Sequence, residues 1–173
     1  MKQLYNLRVA GFIVFILFFI VLLGIMEVYA VRQLNKMESR RHLLLYETDH
    51  HKLLNAFREV SAKAADGSLK TDIYTLNDKN EKKLFPQTIL DLHPLRIDIE
   101  KDYEINIIMS PHVMYGVIAF PGNYDKRKNE IFTADDAIEL LNGLWYYDED
   151  LHKHPEHKIE VEEFLQKRQE GGI

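Results

Sequence analysis

Residues 9–26 form an unbroken run of 18 uncharged, mostly apolar residues near the N-terminus. A helix rises about 1.5 Å per residue, so a bilayer core of about 30 Å takes about 20 residues to cross. The run reaches that length if Glu27 lies at the membrane interface and the apolar residues 28–31 continue the helix. We therefore predict a short tail at 1–6 and a single transmembrane helix at 7–31, in contact with the lipid bilayer.

The same segment also fits a cleaved signal peptide. Lys2 and Arg8 provide a basic start, and Val28-Tyr29-Ala30 is a small-residue cleavage site. The apolar region is longer than the usual 7–15 residues, and Glu27 precedes the site. These departures favour an uncleaved signal anchor, and cleavage stays an alternative.

The start of the chain also resembles the leader of type IV prepilins. Lys2 and Arg8 are followed by Gly11-Phe12, which opens an apolar helix. The resemblance covers about the first third of the chain and implies a pilin-like subunit. The glutamate that the family carries five residues into the mature chain would fall on Ile16 here.

Two sequence signals disagree about the side of the membrane on which the C-terminal domain lies. Counting Lys and Arg alone favours a cytoplasmic C-terminal domain, since Arg32, Lys36, Arg40 and Arg41 follow the span. A very short basic tail before the first apolar segment is typical of a signal anchor, and long following domains translocate largely regardless of charge. We expect the C-terminal domain to lie outside the cytoplasm.

Composition excludes several classes of protein. Residues 33–173 carry 19 positive and 26 negative side chains, a net charge of −7, which argues against nucleic-acid binding. The chain has no cysteine, so disulfides, thiolate metal sites and lipid acylation of cysteine are excluded.

Residues 32–66 contain neither Gly nor Pro, and Gly67 is a plausible stop, so we predict one continuous amphipathic stalk helix over 32–66. Its apolar stripe at 43–64 follows a 3-4 spacing. The stripe consists of Leu43, Tyr46, His50, Leu53, Phe57, Val60 and Ala64. It packs either on the protein's own sheet, which we favour, or on a protein partner or second copy as a short coiled coil.

Residues 67–173 are predicted to form a small α+β domain with an antiparallel sheet and short helices. Period-two alternation in 95–99 and 103–109 predicts a β-hairpin. Apolar, turn and capping patterns predict further elements: a strand at 113–120, a short helix at 137–141 capped by 133–136 and stopped by Gly143, a strand at 144–147 and a helical tail at 155–170.

No catalytic or cofactor-binding residues are predicted, because the chain has no glycine-rich phosphate loop, HExxH or GxSxG motif. The candidate metal ligands are His152, His154 and His157, which lie close in sequence and follow an acidic stretch. Their spacing matches no standard metal motif, and a solvated polar loop is the simpler interpretation.

Trp145, Tyr146 and Tyr147 are the candidate interaction residues, because exposed Trp and Tyr anchor partners at interface rims. Neighbouring residues on a strand point to opposite faces, so one tyrosine of the pair is expected outside the core.

We predict a single-pass, membrane-anchored protein without enzymatic activity, a structural or interaction component of a membrane or envelope assembly. The alternatives are an anchored metal sensor or enzyme that uses the three histidines, and the pilin-like subunit.

Overall fold

The computed structural model describes residues 2–110, 114–120 and 136–171, and the chain forms two compact units, Met1–Arg41 and His42–Ile173. Helix α1 covers Lys2–His42. The segment Phe15–Glu47 is the candidate span among the described residues, and it contains an 18-residue window with a mean hydropathy of 2.2, none of which is buried. It is long and apolar enough to serve as a membrane anchor or as a signal sequence.

The predicted continuous helix over 32–66 is wrong, because the chain leaves the helix at Thr48 and Asp49. A π-helix, Leu43–Glu47, follows α1. The Thr48 hydroxyl and backbone N–H both donate to the Leu43 carbonyl oxygen, at 2.8 and 2.9 Å. The Asp49 carboxylate then caps a new helix by accepting from the Lys52 N–H at 3.1 Å. Short polar side chains therefore replace helical bonds at this point.

Helix α2 covers His50–Ala65 and packs against helix α4 and strand β5, whose bounds are given below. Its apolar stripe is buried in the same compact unit as the sheet, with Leu53, Phe57 and Val60 at most 1% exposed. The helix ends before Gly67, whose φ of 81° favours glycine. Burial of the stripe supports the interpretation that it covers the protein's own core.

Within the described residues, six antiparallel strands form one sheet in the order β1-β2-β3-β4-β6-β5. The strands are β1 Ile73–Tyr74, β2 Arg96–Ile99, β3 Ile105–Ile108, β4 Tyr115–Ala119, β5 Ala137–Leu141 and β6 Leu144–Asp148. The same parts of the chain also form α3 Lys79–Lys82, α4 Gln87–Leu90, a 3-10 turn Leu151–Lys153 and α5 Pro155–Gly171. The predicted α+β class is confirmed, as are the β2–β3 hairpin and the helical tail.

The predicted helix at 137–141 is wrong, because these residues form strand β5 and pair with β6. Asn142-Gly143 connects the two strands, and Gly143 has a φ of 90°. Asn-Gly between two apolar runs is a strong hairpin signal that outweighs the helical spacing. The capping residues 133–135 and Val113 of the predicted inner strand lie outside the described residues.

The pairing register divides the sheet into two faces of different chemistry. One face is apolar and buried, and Ile97, Ile107, Val117 and Tyr146 are at most 1% exposed on it. The other face, called the second face below, carries polar groups from β2, β3 and β6. Apolar residues of the second face are buried as well, with Ile118 at 2% and Ile108 at 6% exposed, so both faces of the sheet contribute buried side chains.

Candidate functional site

Two of the three candidate metal ligands, His152 and His154, each have a carboxylate partner of their own. His152 Nδ1 lies 3.0 Å from Asp136 Oδ1, and His154 Nδ1 lies 3.4 Å from Glu156 Oε1. The backbone N–H of His157 donates to the His154 carbonyl oxygen at 3.0 Å, and this bond closes a turn. Among the described residues no three His, Asp or Glu side chains group as metal ligands. The metal hypothesis therefore stays a sequence prediction without geometric support.

The aromatic candidates separate between the two faces, but the prediction that one tyrosine of the pair lies outside the core is wrong, because both are buried. Tyr146 is 1% exposed on the apolar face, and its hydroxyl donates to Asp148 Oδ2 at 2.6 Å. Tyr147 points to the second face but is only 8% exposed, while Trp145 on that face is half-buried. Of the three candidates, Trp145 retains the most accessible surface for a partner.

Arg96, Asp98, Asn106 and Tyr147 form the second-face polar cluster across β2, β3 and β6. An Arg96 nitrogen, Nη2, lies 3.0 Å from Asp98 Oδ2, and the Tyr147 hydroxyl donates to Asn106 Oδ1 at 2.9 Å. The tyrosine reaches over β4 because Gly116 lies beneath it: a Cβ on Gly116 would be 2.9 Å from the Tyr147 hydroxyl oxygen. The cluster thus depends on a residue without a side chain.

Burial is the largest cause of the pKa shifts in this cluster. It raises the pKa of Asp98 despite the neighbouring Arg96 guanidinium, and it raises the pKa of Tyr147 well above its ordinary value. Asp98 Oδ1 is buried and has no hydrogen-bond partner among the described residues. Because Asp98 and Tyr147 are at most 8% exposed, we interpret the cluster as a structural network rather than a ligand site.

Glu104, the residue before β3, is a second buried carboxylate with a raised pKa. It is 6% exposed, and burial, with the charge of Glu100 adding to it, raises the pKa of Glu104 to about 7. Perturbed carboxylates mark functional sites in many proteins, but burial in a sheet produces the same shift.

An accessible cleft lies where α2 begins. It has a volume of about 320 Å³, and we call it the α2 cleft. Seven residues line it, and they come from α2, β5, α5 and the position before α2. They are Asp49, His50, His51, Leu140, Leu141, Leu165 and Arg168. Three leucines with a small set of charged and imidazole groups resemble the mixed lining of ligand pockets.

His50 connects the cleft to the π-helix. The imidazole is 5% exposed, and Nε2 lies 2.9 Å from the Leu44 carbonyl oxygen. A carbonyl only accepts, so Nε2 carries the proton and Nδ1 is the acceptor in the neutral ring. Burial lowers the pKa of His50, and the Arg168 charge adds to this, so the ring is neutral at pH 7.

Arg168 reaches the same region from α5. Its Nη1 donates to the Thr48 carbonyl oxygen at 3.2 Å, across 120 residues of sequence. A guanidinium has five N–H donors, so this bond leaves most of them for other acceptors. His50 and Arg168 therefore hold two carbonyls at the helix break while both line the cleft.

No protein-family model matches the chain, and no curated protein or solved structure is detectably similar to it. Its function must therefore be argued from its own residues.

The α2 cleft was not predicted from the sequence. Thr48-Asp49 carries a capping signal before α2, and His50 stands out as the polar member of the apolar stripe. The contribution of Arg168 has no local signal, because it depends on how α5 packs against β5.

Proposed function

We propose that this chain is a single-pass, membrane-anchored interaction protein that serves as an accessory component of a membrane or envelope assembly. One observation carries the proposal: a compact unit that follows an apolar helix has an open cleft with leucines and charged groups, the lining typical of a binding site. The α1 segment supports the anchor, since the apolar side chains at 15–31 are exposed.

Binding rather than catalysis is supported by how the reactive groups are used. The Ser61 hydroxyl donates to the Tyr103 carbonyl oxygen at 2.7 Å, so it is a structural donor. The two carboxylates with raised pKa values, Asp98 and Glu104, are at most 7% exposed. His50, the buried imidazole of the cleft, donates to a backbone carbonyl rather than to a nucleophile.

Alkaline carbonate washing of membranes that contain the full chain tests the anchor. We expect the protein in the pellet with residues 1–30 attached, and its C-terminal unit digested by protease added to intact cells or spheroplasts. A soluble chain that starts at Val31 would refute the anchor. Protection from protease until the membrane is broken would reverse the proposed orientation.

Sizing after gentle detergent extraction tests the role in an assembly. The chain has a mass of 20.4 kDa, and an accessory component should migrate well above one chain in its micelle. Harsh detergent should release the single chain and provides the reference position. Migration as a single chain under both conditions would refute the accessory role while leaving the anchor intact.

A further inference from the structure

We propose that the α2 cleft binds the carboxyl terminus of a partner polypeptide whose last residue has an aliphatic side chain. The inference rests on the proposed interaction role and specifies the chemistry of the partner. Three groups of a C-terminal residue have counterparts in the cleft: the aliphatic side chain, the terminal carboxylate and the backbone N–H.

Leucines provide the surface for the side chain. Leu140 and Leu141 come from β5, and Leu165 comes from α5. The volume of about 320 Å³ lies at the lower end of the range of roughly 300–1,000 Å³ for small-ligand pockets. A cleft of this size fits the end of a chain better than a folded surface.

Arg168 is the counterpart of the carboxylate. Only one of its N–H donors is used within the described residues, for the Thr48 carbonyl oxygen. His51, exposed at the start of α2, lines the same cleft, and its imidazole N–H is a further donor for an anion. The Asp49 carboxylate opposes an anion only partly, because Lys52 Nζ lies 3.3 Å from it. A bidentate guanidinium–carboxylate pair is the strongest contact this set of groups offers.

His50 is the counterpart of the backbone N–H. The ring lines the cleft, and with Nε2 bound to the Leu44 carbonyl its Nδ1 has no partner among the described residues. An imidazole nitrogen that only accepts pairs with a ligand that brings a donor. A fatty acid has no such donor. In a polypeptide, the nitrogen of the last peptide bond is attached directly to the carbon that bears the carboxylate.

Three small probes separate these contributions on the full chain in phosphatidylcholine nanodiscs. N-acetyl-L-leucine carries all three groups, N-acetyl-L-leucinamide lacks the charge, and 4-methylpentanoate lacks the N–H. We measure binding by the NMR shifts of nitrogen-15-labelled histidine and arginine side chains. We expect saturable shifts of His50 and Arg168 with the first probe, and affinities at least about tenfold lower for the other two.

Two arginine variants provide the matched comparison. Arg168→Gln should abolish the preference for N-acetyl-L-leucine over its amide, and Arg58→Gln should leave it unchanged. Arg58 is an exposed arginine on α2 that donates to Asn55 Oδ1 at 3.3 Å, away from the cleft lining. The probe series on the unmodified chain tests the proposal even if Arg168→Gln disturbs folding.

Absence of saturable shifts with N-acetyl-L-leucine would overturn the proposal. Equal affinity for 4-methylpentanoate would also overturn it, because the cleft would then recognise a simple amphiphilic acid such as a lipid acyl chain. Equal affinity for the amide would show that the carboxylate is not recognised. If these tests fail while the chain still migrates in a large membrane complex, the proposed function stands and only the peptide site is refuted.

Discussion

Replacing Glu104 with glutamine should make the free energy of unfolding depend less on pH between 4.5 and about 7. The unfolded chain ionises Glu104 near the ordinary pKa of 4.5, whereas the folded chain holds its proton up to a pKa of about 7. Between these values the folded state binds more protons than the unfolded state, so the free energy of unfolding falls as pH rises. Below pH 4.5 both states are protonated and this penalty vanishes.

The size of the effect follows from the difference in pKa. One pKa unit corresponds to about 1.4 kcal/mol, so the ionised carboxylate costs the folded state about 3 kcal/mol above neutral pH. Glu104 is 6% exposed, so solvent screens the penalty little. Glu104→Gln keeps the shape and removes the charge, and it should be more stable than the parent at pH 8 by about this amount. At pH 4 the two proteins should unfold at similar denaturant concentrations.

Urea unfolding of the full chain in micelles measures the difference, with fluorescence of Trp145, the single tryptophan, as the probe. Glu100→Gln is the matched control, because it removes the neighbouring charge and leaves the burial. Since burial is the larger cause, this control should reduce the pH dependence only in part. A parent and a Glu104→Gln variant that lose stability equally between pH 4.5 and 8 would refute the reasoning.

Two further substitutions test the packing. Gly116→Ala should destabilise the sheet by several kcal/mol, because the new Cβ would collide with the backbone carbonyl of Ile107. Gly24→Ala meets nothing within 4 Å and should leave the melting temperature unchanged, so equal effects would contradict this account. Phe57→Ala should cost about 3–5 kcal/mol, as for a buried phenylalanine. If instead the 43–64 stripe is a partner or self-association surface, Phe57→Ala would leave melting unchanged and reduce the sedimentation rate.

Periodicity predicted the β2–β3 hairpin because apolar and polar residues alternate along β2. Ile97 and Ile99 alternate with Arg96 and Asp98, and the pairing places the isoleucines on one face. Such a pattern is a direct consequence of the two-residue repeat of a strand. The apolar run at 9–26 was equally informative, since a long uncharged run has few structural outcomes.

Periodicity failed where a short turn signal decided the structure. Residues 137–141 fit a helical spacing, but the pairing of β5 with β6 and the Asn142-Gly143 connection override it. At Thr48-Asp49, two side chains replace helical bonds in a segment that contains no Gly or Pro. In both places the outcome depends on local hydrogen bonds that hydrophobic patterns do not encode.

Two hydrogen bonds connect the helix break to the lining of the α2 cleft. His50 holds the Leu44 carbonyl at 2.9 Å, and Arg168 holds the Thr48 carbonyl at 3.2 Å. A ligand that leaves both bonds in place stabilises the compact unit by RT ln(1 + [L]/Kd). A ligand that draws Arg168 away from Thr48 loses part of that gain, since the part-buried Thr48 carbonyl then lacks this donor. Because linkage is reciprocal, the free energy by which such a ligand weakens the Arg168–Thr48 bond equals the free energy by which loss of that bond changes the affinity for the ligand.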